Sequence, residues 1–225
     1  MRVGILGATG PAGQAMAARV ASVGVEVVVG SRSAQRAADA CEALNKQWPD
    51  LDLPLTPGTN DEAAGAELVI VATPWDAAAA TAASVGDHLG GKVVISMANG
   101  IANADGELLP VAPPQGSVAV AVQEAVPDAL VAAAFHHLPA RSVADLSRTV
   151  EGDVLICADR PEAADATAEL VVRIPVLRPL HAGSLALAAP VEAFTAVLLG
   201  LNRRHKARAS LRIAGIPRHT PDPGG

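Results

Sequence analysis

The amino-acid sequence predicts an α/β protein with a Rossmann-type, doubly wound and mostly parallel sheet, completed by a small C-terminal α/β extension. The chain opens on an apolar run, Val3 to Leu6, followed by a glycine-rich turn and an alanine-rich helical stretch that ends near Gly24. Apolar runs then alternate with helical patterns, which is typical of strand-helix-strand units with right-handed crossovers. With 225 residues, 50% of them hydrophobic, the chain can bury a large core.

The first turn, "GATGPAG", is the strongest local indication of function. Its glycines are Gly7, Gly10 and Gly13. Glycine permits a tight turn and lets the main chain approach a pyrophosphate, whose charge the helix N-terminus stabilises. Pro11 suits the first helical turn. The spacing differs from Gly-x-Gly-x-x-Gly, because Thr9 and Ala12 occupy two of that motif's glycine positions, so an ordinary strand-helix turn is the alternative.

The second strand ends in "VVVGSRSAQR", where an NAD site would place an acid to bind the adenosine ribose. Ser31 occupies that position here, and Arg32 follows it. A guanidinium and hydroxyl donors suit a 2′-phosphate, which a carboxylate would repel, and Arg36 lies one helical turn further on. The missing acid therefore predicts NADP. The alternative is a solvated loop in which Ser33 is the N-cap of the next helix.

The remaining elements follow in chain order. A second helix, "SAQRAADACEALNKQW", precedes a loop from Pro49 to Thr59 with a short edge strand. "AELVIVATP" is an apolar strand that ends at Thr73 and Pro74, "WDAAAATAASVGDHL" is helical, and "KVVISMANG" is the next strand. Ligands of such sheets bind beyond the carboxyl ends of the strands, which here are Gly7, Gly30, Thr73 and Ser96 to Asn99.

The second half is less regular. A Pro/Gly-rich loop, Ala102 to Gly116, precedes a helix "SVAVAVQEAV" and a strand "ALVAAAF" that ends in "HHLPA". A strand "DVLICAD", a helix from Pro161 to Val172 and a short strand "VLRPL" follow. The apolar segment from Ser184 to Leu201 contains Pro190 and Glu192 and is short of the ~20 clean residues of a membrane span, so it predicts a buried helix.

Composition excludes several classes. The chain has 17 Lys and Arg against 23 Asp and Glu, so it lacks the basic balance of a nucleic-acid-binding protein. Cys41 and Cys157 lie far apart without metal-ligand spacing, which predicts two reduced, buried thiols, no metal and a cytoplasmic location. The sequence starts on a strand, so we expect neither a signal peptide nor a membrane anchor.

Four stretches, in this order and at these intervals, make the chain similar to one family: the opening through "VVVGSRS", then "VATPW", "FHHLPA" and "LRPLHAG". They resemble the F420-dependent NADP oxidoreductases, over nearly the whole chain to about Leu201. The resemblance implies hydride transfer between NADP(H) and the deazaflavin coenzyme F420 in a homodimer. It also implies an NADP-binding Rossmann domain over residues 1–139, a small C-terminal domain over 140–215 that completes the deazaflavin pocket, and a loose tail over 216–225.

The resemblance also implies roles for particular residues. Thr9, Ser31 and Arg32 would hold the 2′-phosphate with Arg36, while His136 would line the ring pocket beside Leu138. Direct hydride transfer mainly requires two flat rings to be stacked and water to be excluded. His136 would then anchor a carbonyl or carboxamide edge, or else be a structural strand-end histidine, as we expect for His137. The full predicted cofactor-binding set is Gly7, Thr9, Gly10, Pro11, Ala12, Gly13, Ser31, Arg32, Arg36, Thr73, Pro74, Trp75, Met97, Ala98 and Leu138.

Some alternatives stay open at this stage. Trp75 either covers the nicotinamide or starts a buried helix. The basic run "NRRHKARASLR", Asn202 to Arg212, either attracts the anionic tail of F420 or is a solvated helix face. The absence of tyrosine excludes the usual catalysis of short-chain reductases and leaves a non-catalytic NADP(H)-binding sensor. A reductase of a small imine or ketone is the third class, with His136, His137 or Thr195 as candidate proton donors.

Overall fold

A computed structural model describes residues 1–216 of the chain. The strands are β1 (Arg2–Leu6), β2 (Glu26–Ser31), β3 (Leu55–Thr59), β4 (Leu68–Val71), β5 (Val93–Ser96), β6 (Ile101–Ala104), β7 (Glu107–Pro110), β8 (Leu130–Ala133), β9 (Gly152–Ala158) and β10 (Leu177–Gly183). The helices are α1 (Pro11–Ala21), α2 (Ala34–Gln47), α3 (Asn60–Ala64), α4 (Trp75–Ala83), α5 (Val118–Ala125), α6 (Ala140–Ala144), α7 (Pro161–Arg173) and α8 (Ala188–His205).

Eight strands form one sheet in the order β3-β2-β1-β4-β5-β8-β9-β10. The six strands from β3 to β8 are parallel, and their order is that of the doubly wound dinucleotide-binding fold. β9 runs antiparallel to β8, and β10 is parallel to β9. The predicted fold class is therefore confirmed, and the two last strands extend the same sheet beyond the predicted boundary at residue 139.

The central strands are buried on both faces, as their near-continuous apolar runs predict. Along β2, Val27 and Val29 face a core built with α1, α2 and α7, whereas Val28 faces a second core built with α3, α4 and α5. This alternation follows from the two-residue period of a strand. The two cores fix all helices around the sheet and leave the carboxyl ends of the parallel strands free.

The predicted loop from Ala102 to Gly116 is wrong in its first part, because β6 and β7 pair there as an antiparallel hairpin. Its turn residues, Asp105 and Gly106, have φ of 51° and 85°. An Asp-Gly pair with positive φ at both positions is the preferred two-residue hairpin turn. That signal was present in the sequence, but the surrounding prolines and glycines obscured the short strands.

The C-terminal helix α8 differs from the buried helix that the sequence predicts. Only a third of the segment Leu185–His205 is buried, although by length and composition alone it is apolar enough to cross a membrane. One face, which carries Glu192 and Thr195, packs into the protein, while Phe194, Val197 and Leu201 are exposed. The prediction failed because mean hydropathy gives no information about how many faces of a helix find partners in the fold.

A buried ion pair joins β9 to β10. Asp153 is 0% exposed, and both its carboxylate oxygens accept hydrogen bonds from Arg178, at 2.8 and 2.6 Å. The same carboxylate accepts from the backbone N–H of Ile213 at 2.6 Å, while Arg178 donates to carbonyls of Ile213 and Ile216. The pair therefore attaches the segment after α8 to the sheet. The predicted loose tail lies outside the described residues except for Ile216.

Candidate active site

The turn after β1 has the geometry that its glycines predicted. Gly7 has φ of +68°, and a Cβ at this position would lie 2.2 Å from Cγ2 of Thr73 at the end of β4. The Gly7 N–H donates to Oδ1 of Asn60 at 3.2 Å, and the Ala8 N–H donates to the carbonyl of Gly30 at 2.8 Å. The turn is thus held from three neighbouring strand ends, and no side chain other than hydrogen fits at Gly7.

The N-terminus of α1 is open to a ligand. Gly10 is the N-cap and Pro11 follows it, and no side chain caps the first N–H groups. A Cβ at Gly10 would meet no heavy atom nearer than the Gly7 carbonyl oxygen, at 4.0 Å, whereas a Cβ at Gly13 would lie 2.6 Å from Cα of Ala8. Gly13 is therefore required by close packing of the helix on the turn, and Gly10 leaves bare backbone for a phosphate to approach.

The end of β2 presents the predicted 2′-phosphate residues. Ser31 is buried, and its hydroxyl accepts from the Ser33 N–H at 3.3 Å. Arg32 is exposed and forms no ion pair within residues 1–216. Thr9 and Arg36 line one shallow depression of about 300 Å³, together with Gln14, Asp39, Ala40 and Ala43. Asp39 was not foreseen as part of this depression, and its carboxylate accepts a hydrogen bond from the Gln35 side chain at 2.8 Å.

A cavity of about 390 Å³ lies over the carboxyl ends of the parallel strands. Most of the predicted ring-binding residues meet in its wall: Gly10, Pro11, Ala12, Thr73, Pro74, Trp75, Met97, Ala98, His136 and Leu138. The prediction had not assigned the other lining residues to the cofactor: Ala15, Met16, Ala72, Asn99, Phe135, Ala140, Val143, Thr195 and Leu199. Since most of the wall is apolar, the cavity suits flat rings from which water is excluded.

His136 reaches this cavity through a strained backbone. Phe135, two residues past the end of β8, has φ of 65°, a left-handed conformation that costs a bulky residue on the order of 1–3 kcal/mol. The His136 carbonyl is held by the Asn99 side chain at 2.7 Å, and Thr195 lies at 3.5 Å. His136 is 4% exposed, and neither ring nitrogen has a hydrogen-bond partner within residues 1–216. Both ring nitrogens are sealed from the cavity, so a ligand would supply their partners only after the ring turned toward it.

The two adjacent histidines have different surroundings. Burial, and the neighbouring His137 ring, lower the pKa of His136 to about 3, so His136 is neutral at physiological pH. His137 instead places Nε2 2.9 Å from the Asp153 carbonyl, which agrees with the structural role expected for it. Its pKa is also lowered by burial. Only His136 lines the cavity, so the structure separates one candidate ring-binding histidine from one structural histidine.

These buried neutral histidines predict acid destabilisation. Below pH 6.5 the unfolded chain binds a proton at His136 that the folded chain does not, so stability falls from pH 6.5 toward pH 3, by on the order of 1 kcal/mol per pH unit, and the lowered pKa of His137 acts in the same direction. Glu192 acts in the opposite direction between about pH 4.5 and 6, since burial raises its pKa to about 6 and its ionisation weakens the fold as pH rises. Urea midpoints at pH 7, 6 and 5 measure the net slope.

His136→Gln should retain the shape of the site and flatten this slope. A wild-type midpoint that does not change between pH 7 and 5 would contradict the prediction. Equal slopes for His136→Gln and the wild type would assign the proton uptake to other groups.

The basic run from Asn202 to Arg212 does not converge on one point. Arg203 donates to the Gly106 carbonyl, Arg208 pairs with Asp145 at 2.8 Å, and Arg212 pairs with Glu151 at 3.7 Å. α8 ends at His205, so the run is only partly a helix face. Residues that already bind three separate partners are less free to hold one anionic tail.

The fold and the site together define a class. A parallel sheet of order 3-2-1-4-5-8, a glycine turn into an uncapped helix and an apolar cavity over the strand ends are the features of a Rossmann-type dinucleotide-binding protein. Within residues 1–216 no group of three or more His, Cys, Asp or Glu side chains could hold a metal ion.

Comparison with known proteins identifies the family. Residues 2–100 match the model of the coenzyme F420-dependent NADP oxidoreductases. The F420-dependent NADP reductases of Methanothermobacter marburgensis and Methanocaldococcus jannaschii are 34% and 30% identical to this chain; each match covers 96% of this chain and 100% and 99% of the relative, respectively. This chain therefore belongs to the F420-dependent NADP oxidoreductase family.

A solved structure agrees at the level of the fold. A protein of Arthrobacter sp. FB24, assigned as an F420-dependent NADP-reductase, superimposes with a TM-score of 0.80 and 23% identity over 95% of this chain and 99% of its own.

Proposed function

We propose that this protein transfers hydride between NADP(H) and coenzyme F420. The observation that supports this best is the apolar cavity at the strand ends, which joins the N-terminus of α1 to the neutral, unpaired ring of His136. When bound, the nicotinamide and the deazaflavin exchange a hydride directly, so the protein needs no nucleophile and no metal for this step. Its contribution is to bind, orient and exclude water.

The proposed binding roles follow the geometry of the turn. The free N–H groups at the start of α1, over the bare backbone at Gly10, would bind the pyrophosphate. Thr9 and Arg36, which line the depression beside α2, would bind the 2′-phosphate together with Ser31 and Arg32 at the end of β2.

The residues of the cavity wall determine where the nicotinamide and deazaflavin rings would bind. Thr73, Pro74, Met97, Ala98 and Leu138 line the cavity where the rings would stack, and Trp75, which lines it at the start of α4 and also packs against the second core, would cover the nicotinamide. His136 stays neutral, so it can offer one donor and one acceptor to a ring edge without taking part in proton transfer.

The reaction is tested by anaerobic stopped-flow mixing of the purified protein and F420 with NADPH and then with NADH. Loss of the absorbance of oxidised F420 should be rapid with NADPH and at least tenfold slower with NADH. Binding of NADPH without any loss of F420 absorbance would overturn the proposal and favour a nucleotide sensor. Turnover of a cyclic imine in place of F420 would favour the imine reductase.

We also propose that the protein is a homodimer that pairs through α8. Phe194, Val197 and Leu201 lie three or four residues apart, so they form one exposed stripe on α8, which borders the groove between α8 and the β6–β7 hairpin. A stripe of large exposed apolar side chains on one helix is costly for a monomer in water and complementary to its own copy about a two-fold axis.

A charge in the stripe tests the dimer. Val197→Glu should make the protein monomeric, as measured by light scattering. The variant should still show a cooperative melting transition, because each subunit remains folded. Val172→Glu on α7 is the matched control, because Val172 is 60% exposed against 52% for Val197 and lies on another surface. A wild type that is monomeric at micromolar concentration, or a Val197→Glu variant that stays dimeric, would contradict this interface.

The location we propose is the cytoplasm, without nucleic-acid or membrane partners. Cys41 and Cys157 are both buried and unpaired, and burial raises the pKa of each thiol to about 11. Such thiols are inert and suit a reducing compartment. The formal net charge of −6 does not favour binding to nucleic acid.

A further inference from the structure

Asn99 is a polar residue of the ring cavity for which the proposed function has assigned no task. It lies three residues past the end of β5 and lines the cavity together with His136 and Thr195. The side chain is half-buried, so one of its two polar ends can be committed to the protein while the other faces the cavity.

The orientation of its amide is fixed by chemistry. The nitrogen Nδ2 lies 2.7 Å from the backbone carbonyl oxygen of His136. Because a carbonyl only accepts, the amide end that faces it must be the NH₂ group. Oδ1 therefore points away from this carbonyl. It accepts no hydrogen bond from residues 1–216, and it is not one of the fully buried side-chain atoms that lack a partner, so a ligand can reach it.

The backbone around Asn99 holds this oxygen in place. The Met97 N–H donates to the Val71 carbonyl at 3.2 Å, which ties the segment to the end of β4. On the other side, Gly100 packs so closely that a Cβ would lie 1.8 Å from the Val111 carbonyl oxygen, and its own carbonyl accepts from the Val111 N–H at 2.8 Å. An acceptor on a backbone fixed at both sides is pre-organised for a ligand.

The neighbours of Asn99 define the chemistry that it can recognise. The His136 ring beside it is neutral, and the other lining residues named above are uncharged. A fixed, uncharged acceptor in an apolar wall favours an uncharged N–H donor over a cation or an anion. Both substrates carry such a group: the carboxamide NH₂ of the nicotinamide and the pyrimidine N–H of the deazaflavin.

We propose that Oδ1 of Asn99 accepts a hydrogen bond from the amide N–H of a ring bound in the cavity, while Nδ2 holds the loop that carries His136. This inference rests on the proposed function for the identity of the rings. Asn99 is then both a binding residue and the link between β5 and the strained turn at Phe135.

The test measures affinity rather than turnover. Calorimetry on the full chain compares NADP⁺ with its 3-acetylpyridine analogue, in which a methyl group replaces the carboxamide NH₂, and measures F420 separately. Asn99→Ala removes both ends of the amide, and the exposed Asn45→Ala is the control for a loss of asparagine elsewhere. The analogue separates the two ends, because loss of the loop contact weakens NADP⁺ and its analogue alike, whereas loss of the acceptor weakens NADP⁺ alone. Should the alanine variant not fold, the nearly isosteric Asn99→Leu replaces it.

A nicotinamide contact predicts that the wild type binds NADP⁺ about tenfold more tightly than the analogue, and that Asn99→Ala reduces this ratio to about twofold. A deazaflavin contact predicts an unchanged ratio and about tenfold weaker F420 binding for Asn99→Ala alone.

The inference is overturned if a folded Asn99→Ala variant keeps both the ratio of NADP⁺ to its analogue and the affinity for F420. It is also overturned if this variant weakens NADP⁺, the analogue and F420 by the same factor, since the donor to His136 would then carry the whole effect. A wild type that binds NADP⁺ but not F420 overturns the proposed function instead, and the ratio of NADP⁺ to its analogue still tests Asn99.

Discussion

Replacing Arg32 by aspartate is expected to raise the Michaelis constant for NADPH by about 100-fold, with little change or an improvement for NADH. A hydrogen bond to a charged group contributes about 1.5–3 kcal/mol, and each 1.4 kcal/mol is a factor of ten in affinity. The substituted carboxylate would also repel a 2′-phosphate. Because Arg32 is exposed and has no ion-pair partner within residues 1–216, its loss should leave the fold intact. Steady-state kinetics with both nucleotides measures the switch.

Arg160→Asp is the matched control for this charge change. Arg160 is the N-cap of α7 and follows β9, whose end lies at the opposite edge of the sheet from the glycine turn, because β9 is antiparallel to β8. Aspartate is a favourable N-cap, so this variant should be stable and keep its Michaelis constant for NADPH. An Arg32→Asp variant with unchanged affinity for NADPH would remove the basis for assigning a 2′-phosphate to the end of β2.

Replacing Gly10 by valine should abolish detectable NADPH binding, a loss of at least about 100-fold, without a loss of stability. The backbone at Gly10 has φ of −80° and ψ of 163°, which any residue adopts, and a Cβ there would meet nothing closer than 4.0 Å. The new side chain would occupy the space through which a pyrophosphate reaches the N-terminus of α1. Fluorescence titration with NADPH, beside thermal unfolding, tests both halves of the prediction.

Two further glycines serve as controls for Gly10→Val. Gly90 also has open space around its Cβ position and lies before β5, at the amino edge of the sheet, so Gly90→Val should retain NADPH binding. Gly13→Ala should lower the melting temperature, because its Cβ would lie 2.6 Å from Cα of Ala8. If Gly10→Val still bound NADPH with wild-type affinity, the diphosphate could not lie over this helix N-terminus.

The fold could be predicted to a large extent because its signals are local. The alternation of buried strands and amphipathic helices, the glycine turn at Gly7 and the Ser-Arg pair after β2 can all be recognised within short windows of sequence. Even the missed hairpin carried its Asp105-Gly106 turn signal in the sequence. That the candidate ring-binding residues meet in one cavity at the strand ends was predictable for a related reason, since parallel strands bring their carboxyl ends to one edge.

Only the tertiary structure decided which residues that are distant in sequence contact one another. Asn60 meets Gly7 across 53 positions, Asn99 meets His136 across 37, and Glu192 accepts from the first N–H groups of α5 across more than 70. The outward face of α8 belongs to the same category. The sequence by itself determined three things: the hydrophobic periodicity of the strands and helices, the residues of the tight turns, and the preference for NADP over NAD. Each of these depends on a residue and its near neighbours. Which polar atoms stay unpaired, and which apolar faces stay uncovered, depends on how the finished elements pack against one another.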